Sequence, residues 1–254
     1  MSEQVVPALS AEQLAELLSL IRGADSVELK LSVADADRWS AVTALEMDPL
    51  DAEIRQVAFF DTPDLQLNRG GVVVRTRRVQ NSPGDTVVKL RPVVPDDLPA
   101  ELRASPSFSV EVDAMPGGFV CSASMKAERP SDDVTEVMRG RAALKSVLTK
   151  EQRAFYKGHA PEGVNLDDLA LLGPITLLKL KFRPEGLGRR IVAELWAYPD
   201  GSRILELSTK CAPADAFLAA AETKAFLGGR GIDLTAHQQT KTRTALEYFA
   251  QQLS

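Results

Sequence analysis

The chain has 254 residues, with 30 Lys or Arg against 35 Asp or Glu and a formal net charge of −5. That acidic balance gives no support to a broad nucleic-acid-binding face. Cys121 and Cys211 lie far apart and His159 and His237 are isolated, so neither a disulfide framework nor a zinc spacing is present.

Ser10 precedes a run whose Leu14, Leu17, Leu18 and Ile21 recur at helical spacing before Gly23, which predicts an N-capped helix over about 10–22. The opening residues lack the basic start and apolar run of a signal peptide, and no stretch approaches the roughly 20 apolar residues of a membrane-crossing helix. A cytoplasmic protein without membrane partners is expected. The period then changes to two, and residues 27–33 alternate apolar and polar as a strand does. A helical piece is expected at 35–46, and a strand at 54–60 ended by Asp61, Thr62, Pro63 and Asp64. Strands are expected at 72–79 and 86–91, joined by the turn-rich 81–85. A polar loop over 96–106 leads to a strand pair, 108–114 and 119–126, across Pro116, Gly117 and Gly118. The charged stretch 134–157 favours helix, and 161–172 a shorter one. Strands resume at 175–182, 190–196 and 203–208, and two helices close the chain at 214–227 and 235–253. No linker interrupts the chain, so a single domain over 1–254 is expected, with a strand core over about 26–210 and C-terminal helices over about 214–253.

Alternate side chains of a strand point to opposite faces. Glu28 and Lys30 therefore share a face, as do Arg75 with Arg77, Lys89 with Arg91, Glu111 with Asp113, and Lys179 with Lys181 and Arg183. Glu194 aligns with Arg190 and Val192, and Glu206 shares a face with Ser208 and Lys210. The opposite faces are apolar. Alternating charge on one strand is usually a solvated surface. Here the charges are sorted by sign from strand to strand, and cations dominate in an acidic chain. If this face lines a closed lumen, the cations need an anion, because like charges repel and desolvation is costly. A polyphosphate satisfies arginine forks and lysine point charges, and Mg²⁺ or Mn²⁺ held by carboxylates reconciles it with the acids. Phe59, Phe60 and Trp196 are expected in the core. Lys241 and Arg243 are expected on a solvated face of the last helix.

These residues resemble the CYTH proteins, or triphosphate tunnel metalloenzymes. That family opens with Glu-x-Glu-x-Lys, matched here by Ser26, Glu28 and Lys30. A Tyr-Phe-Asp-Thr-like stretch running to Arg-x-Arg is matched by Phe59 to Thr62, Gly71, Arg75 and Arg77. The resemblance continues through Lys89 and Arg91, Glu111 and Asp113, Lys179 to Arg183, Glu194 and Glu206. It implies an α+β fold, an eight-stranded antiparallel closed barrel with a charged interior and helices packed outside. It implies divalent-metal-dependent hydrolysis of inorganic or small organic triphosphates. Lys30, Arg75, Arg77, Lys89, Arg91, Lys179, Lys181 and Arg183 are the implied substrate ligands. Glu28, Glu111, Glu194 and Glu206 are the implied ligands of Mg²⁺ or Mn²⁺, with Glu28, Lys30 and Glu206 at the chemistry. Ser26 and Ser208 stand where the family carries metal-binding glutamates, which weakens the expected metal site. A polyphosphate- or nucleotide-binding module without turnover, or an adenylyl cyclase, are the alternatives.

Overall fold

The computed structural model describes residues 9–238 and 240–253. The reading of the first eight residues, and position 239 within the last expected helix, therefore lie outside the described residues. Among the described residues nine strands close into a barrel: β1 (Ser26–Val33), β2 (Glu53–Asp61), β3 (Val72–Val79), β4 (Ser82–Leu90), β5 (Phe108–Met115), β6 (Gly118–Arg129), β7 (Ala170–Phe182), β8 (Ile191–Ala197) and β9 (Arg203–Cys211). Around the ring they run β1-β5-β6-β4-β3-β2-β7-β8-β9 and back to β1. This corrects the expected eight antiparallel strands in two ways with one cause. Antiparallel neighbours alternate in direction, so a closed ring of nine must contain a parallel contact. It falls between β1 and β5, with Glu28 opposite Asp113. The other contacts are antiparallel.

Helices α1 (Ala11–Gly23), α2 (Arg38–Ala44), α3 (Gln66–Arg69), α4 (Ala100–Arg103), α5 (Ser131–Met138), α6 (Lys150–His159), α7 (Ala216–Gly229) and α8 (Lys241–Leu253) complete the chain. Capping boxes start α1 and α6: Ser10 with Gln13, and Thr149 with Gln152, exchange side-chain and backbone bonds. The expected 134–157 helix is two, α5 and α6, with Gly140 in the left-handed region just past α5. The expected 161–172 helix reduces to one short turn, because β7 already begins at Ala170. The turn-rich 81–85 is also largely strand. A tight turn at Asn81 (φ 54°) closes the β3–β4 hairpin, and Asp85 pairs with Arg77 on one side and Glu128 on the other.

Alternation sends one side of each strand outward into an apolar layer. Val27, Val72, Val74, Val88, Leu90, Val110 and Val112 pack beneath α1, α5 and α6. Leu31, Leu180, Ile191, Leu205 and Leu207 pack with Ala41 of α2, Leu45 just past it and Leu227 of α7. Gln152 anchors α6 to the barrel from a fully buried site. Its Nε2 donates to the carbonyls of Thr86 and Met125 at 3.0 Å, and its Oε1 accepts from Thr86 Oγ1 at 2.9 Å.

The inward side is not charged throughout. Phe59 pairs with Arg75 in register, and Trp196 with Leu177 and Ile204, which sets these apolar residues on the same side as the lumen charges. Together with Val57, Val73 and Ile175 they form an internal apolar layer that Ala245 and Leu246 of α8 complete. Phe59 and Trp196 stack at 6.4 Å between ring centroids. Helix α8 thus packs against the inner layer, whereas the expectation placed every helix outside.

Candidate functional site: a charged tunnel

Among the described residues, the inward strand faces and the start of α8 bring ten cations together: Lys30, Arg55, Arg75, Arg77, Lys89, Arg91, Lys126, Lys179, Lys210 and Lys241. Seven acids join them: Glu28, Glu53, Asp85, Glu111, Asp113, Glu194 and Glu206. Among these named groups of the described residues the cations outnumber the acids, in a chain whose total is −5.

Three acidic stations organise the charges. At the first, Lys30 Nζ lies 3.1 Å from Glu28 Oε2 and 2.8 Å from Asp113 Oδ1, and Lys89 Nζ lies 3.7 Å from Asp113 Oδ2. The parallel β1–β5 register is what sets Glu28 beside Asp113. Glu111 accepts from Ser26 Oγ at 3.2 Å and is paired with Lys210. One carboxylate oxygen each from Glu28, Glu111 and Asp113 lies within 4.8 Å of the others. Three carboxylate oxygens gathered in this way could hold a metal ion. Burial works against the charge of Glu28 and Asp113, but Lys30 overcomes it and holds both below the ordinary carboxylate range. Asp113, which the implied metal ligands did not include, is the centre of this station, 4% exposed at its side chain.

The second station is Asp85, which no expectation named. Its carboxylate is paired with Arg77, reaches Arg75 at 3.4 Å and lies 3.8 Å from Lys126. Arg55, bound to Glu53 through its Nε at 2.6 Å, lies close enough to Lys126 to disfavour a second positive charge there. One acid serves several cations here, and Arg75 Nε is buried without a hydrogen-bond partner. Burial, aided by Arg77, pulls the Arg75 guanidinium down to about 10. Burial likewise lowers Lys89, Arg91, Lys126 and Lys179 against the raising pull of nearby acids. Crowded, partly desolvated cations of this kind are a state that a neighbouring anion would relieve.

The third station is Glu194 and Glu206. Glu194 Oε1 accepts from Lys179 Nζ at 2.9 Å. Lys241 Nζ reaches Glu194 Oε2 at 2.5 Å and Glu206 Oε1 at 2.7 Å. Burial opposes the charge on Glu194, yet Lys241 and Lys179 hold it well below the carboxylate range. The expectation of a solvated Lys241 is corrected: its side chain is 13% exposed, while Arg243 is outside, bonded to Glu247.

Lys181 and Arg183, at and just past the end of β7, are exposed, and Arg183 donates to the carbonyl of Gly188. The structure does not gather them into the three stations. Glu53, Arg55, Asp85 and Lys126 are lumen groups that sequence reasoning passed over, and Lys241 is one that it assigned to solvent. Asp85 was in phase with Val87 and Lys89, but Ser82, Pro83 and Gly84 beside it resembled a turn. No periodic signal marks Lys241, since it is a single position at a helix start.

The Phe-Asp-Thr stretch has a local explanation. Asp61 is 1% exposed and accepts from the backbone N–H groups of Thr62, Leu67 and Asn68 at 2.7, 2.8 and 2.9 Å. It caps the short α3 and fixes the turn into β3. Gly71 follows with φ +74°, where an added Cβ would sit 2.5 Å from the Arg91 carbonyl oxygen. This pair sets the entry of the strand carrying Arg75 and Arg77.

No model of a known protein family matches the sequence, and no curated protein matches it significantly. Solved structures do match in fold. A candidate adenylyl cyclase from Hippeastrum, reported to reveal a dominant triphosphatase activity, superposes with a TM-score of 0.65 at 16% identity over 87% of this chain and 95% of that one. A candidate adenylate cyclase from Bacillus halodurans gives a TM-score of 0.60 at 11% identity over 87% of this chain and 97% of that one. The chain thus shares the closed-barrel fold of these proteins. No helix among the described residues is long and apolar enough to cross a membrane.

Proposed function

We propose that this chain is a divergent triphosphate tunnel protein that binds an inorganic or small organic triphosphate in its lumen and hydrolyses it with a divalent ion. The observation that carries the reading is the cation excess around Arg75, with its buried, partnerless Nε. The triphosphatase activity of the Hippeastrum protein of the same fold supports it. Arg75 and Arg77 would fork onto phosphate oxygens, with Lys30, Lys89, Arg91 and Lys179 as further point charges. Glu28, Glu111 and Asp113 would hold the ion, Mg²⁺ or Mn²⁺. When bound, such an ion supplies Lewis-acid polarisation of phosphate oxygens and a more acidic water. The residues themselves orient the chain of phosphates, neutralise charge that develops on the leaving diphosphate, and shield it from bulk water. Water adds to the terminal phosphorus as the bond to the leaving oxygen breaks. Lys181 and Arg183 would attract the anion at longer range.

The test is phosphate release from triphosphate, nucleotides and thiamine triphosphate by purified protein with Mn²⁺ or Mg²⁺. Arg75→Ala should lower kcat/KM by about 10- to 100-fold, the worth of a charge-assisted hydrogen bond of roughly 1.5–3 kcal/mol. No release from any of the three substrates would refute hydrolysis. Tight triphosphate binding without release would favour the second reading, a binding module, which Ser26 and Ser208 motivate. Cyclic AMP formed from ATP would favour a cyclase.

A further inference from the structure

The Glu194–Glu206 pair differs from the Glu28–Glu111–Asp113 station in what already occupies it. Both oxygens of Glu194 are taken, Oε1 by Lys179 at 2.9 Å and Oε2 by Lys241 at 2.5 Å, and Trp196 Nε1 adds a donor to Oε2 at 3.3 Å. The same ammonium of Lys241 reaches Glu206 Oε1 at 2.7 Å. It bridges the two carboxylates from β8 and β9, which face each other in register. A small divalent ion between them would need the oxygens that this ammonium fills.

Lys241 is not a loose side chain that drifted into the gap. Its ammonium lies 5.2 Å over the Trp196 ring, a cation–π contact that adds to the two ion pairs. Its own carbonyl accepts from Tyr198 Oη at 3.1 Å, which ties the first residue of α8 to the end of the barrel. One turn further on, Ala245 and Leu246 are buried in the inner apolar layer. Just before the helix, Gln238 Oε1 accepts from the Ser32 backbone N–H at 2.9 Å. Withdrawing the ammonium therefore means unseating the start of α8. At the other station Lys210, which pairs with Glu111, is 58% exposed and can swing into water at little cost.

We infer that Lys241 is a resident cation that holds the Glu194–Glu206 carboxylate pair in place of a metal ion, so that Glu28, Glu111 and Asp113 form the single metal station among the described residues of the tunnel. This deepens the metal-dependent reading above and rests on it only for the last clause. It departs from the sequence expectation, in which Glu194 and Glu206 were metal ligands. Chemically, a fixed ammonium supplies one positive charge and N–H donors to a phosphate, independent of the metal in the medium. A divalent ion would supply two charges and an activated water. The third station is thereby a binding and positioning element.

The experiment counts Mn²⁺ on the full chain without triphosphate, by calorimetric titration and by the electron paramagnetic resonance signal of free Mn²⁺. The native chain should bind one ion. Glu194→Gln should leave its affinity within about twofold, as separate sites behave. Glu111→Gln should weaken it by at least about tenfold. Lys241→Met should add a second ion, and Glu194→Gln in that background should remove it. Two ions on the native chain, or loss of its ion in Glu194→Gln, would overturn the inference. So would a folded Lys241→Met that binds no additional ion. Should Lys241→Met fail to fold, the Glu194→Gln result in the native background decides the matter. A native chain that binds no Mn²⁺ while Lys241→Met binds one would uphold the role of Lys241 and refute the metal station, which separates this inference from the functional reading.

Discussion

Replacing Asp85 with Asn tests the electrostatics of the tunnel most directly, because one carboxylate there faces Arg75, Arg77 and Lys126. The substitution keeps shape and removes the charge. Deleting one partner of a buried ion pair costs about 3–5 kcal/mol when the orphaned charge stays buried. Asp85 is 5% exposed at its side chain, but Arg75 is 27% and Lys126 55% exposed, so water recovers part of the loss. A cost of roughly 2–3 kcal/mol follows from that discount. In a chain of this size it lowers the melting temperature by about 4–12 °C. The acid limb of stability should change too. Burial raises the Asp85 carboxyl, but Arg75 and Arg77 outweigh it and depress it below its unfolded value. Its contribution is therefore present above the unfolded carboxylate pKa and is lost as pH falls through the folded one, so D85N should lose less stability on acidification than the native chain. Triphosphate restores the missing negative charge, so its stabilising effect should be larger in D85N. Thermal melts of both proteins, with and without triphosphate and across the acid range, measure all three effects. If D85N melts within about 1 °C of the native chain at neutral pH, or triphosphate stabilises neither protein, the reasoning about a cation-rich lumen fails.

Asp61→Ala strands three backbone donors and should cost about 2–4 kcal/mol, whereas Asp61→Asn, which keeps an acceptor oxygen, should cost less; urea unfolding compares them. Gly71→Ala places a Cβ against the Arg91 carbonyl at a positive φ, so a loss of at least about 2 kcal/mol is expected in the same assay. Gln152→Leu leaves the Thr86 and Met125 carbonyls without their donor in a fully buried site, and should destabilise by about 2–4 kcal/mol, with faster amide exchange in α6 and β4 than in β8 and β9.

What the sequence determined by itself is what repeats along one strand. Period-two alternation placed most strands and sorted Arg75, Arg77, Lys89, Lys179, Glu28 and Lys30 onto one face, because a side chain's direction follows from the local backbone. Helix starts were legible at Ser10, where the cap lies within one turn of what it caps. What only the tertiary structure decided is which strands meet and what crosses the lumen. The count of nine strands forces a parallel contact, the fold places it between β1 and β5, where it makes Asp113 a partner of Lys30, and no local pattern encodes that register. Asp85 gained its role from the register of the β3–β4 hairpin. Lys241 reached Glu194 and Glu206 only because α8 docks on the inner apolar layer, 47 positions along the chain from Glu194. Such contacts depend on closing long loops between otherwise ordinary segments, and their energy resides in the assembled barrel rather than in any stretch of chain.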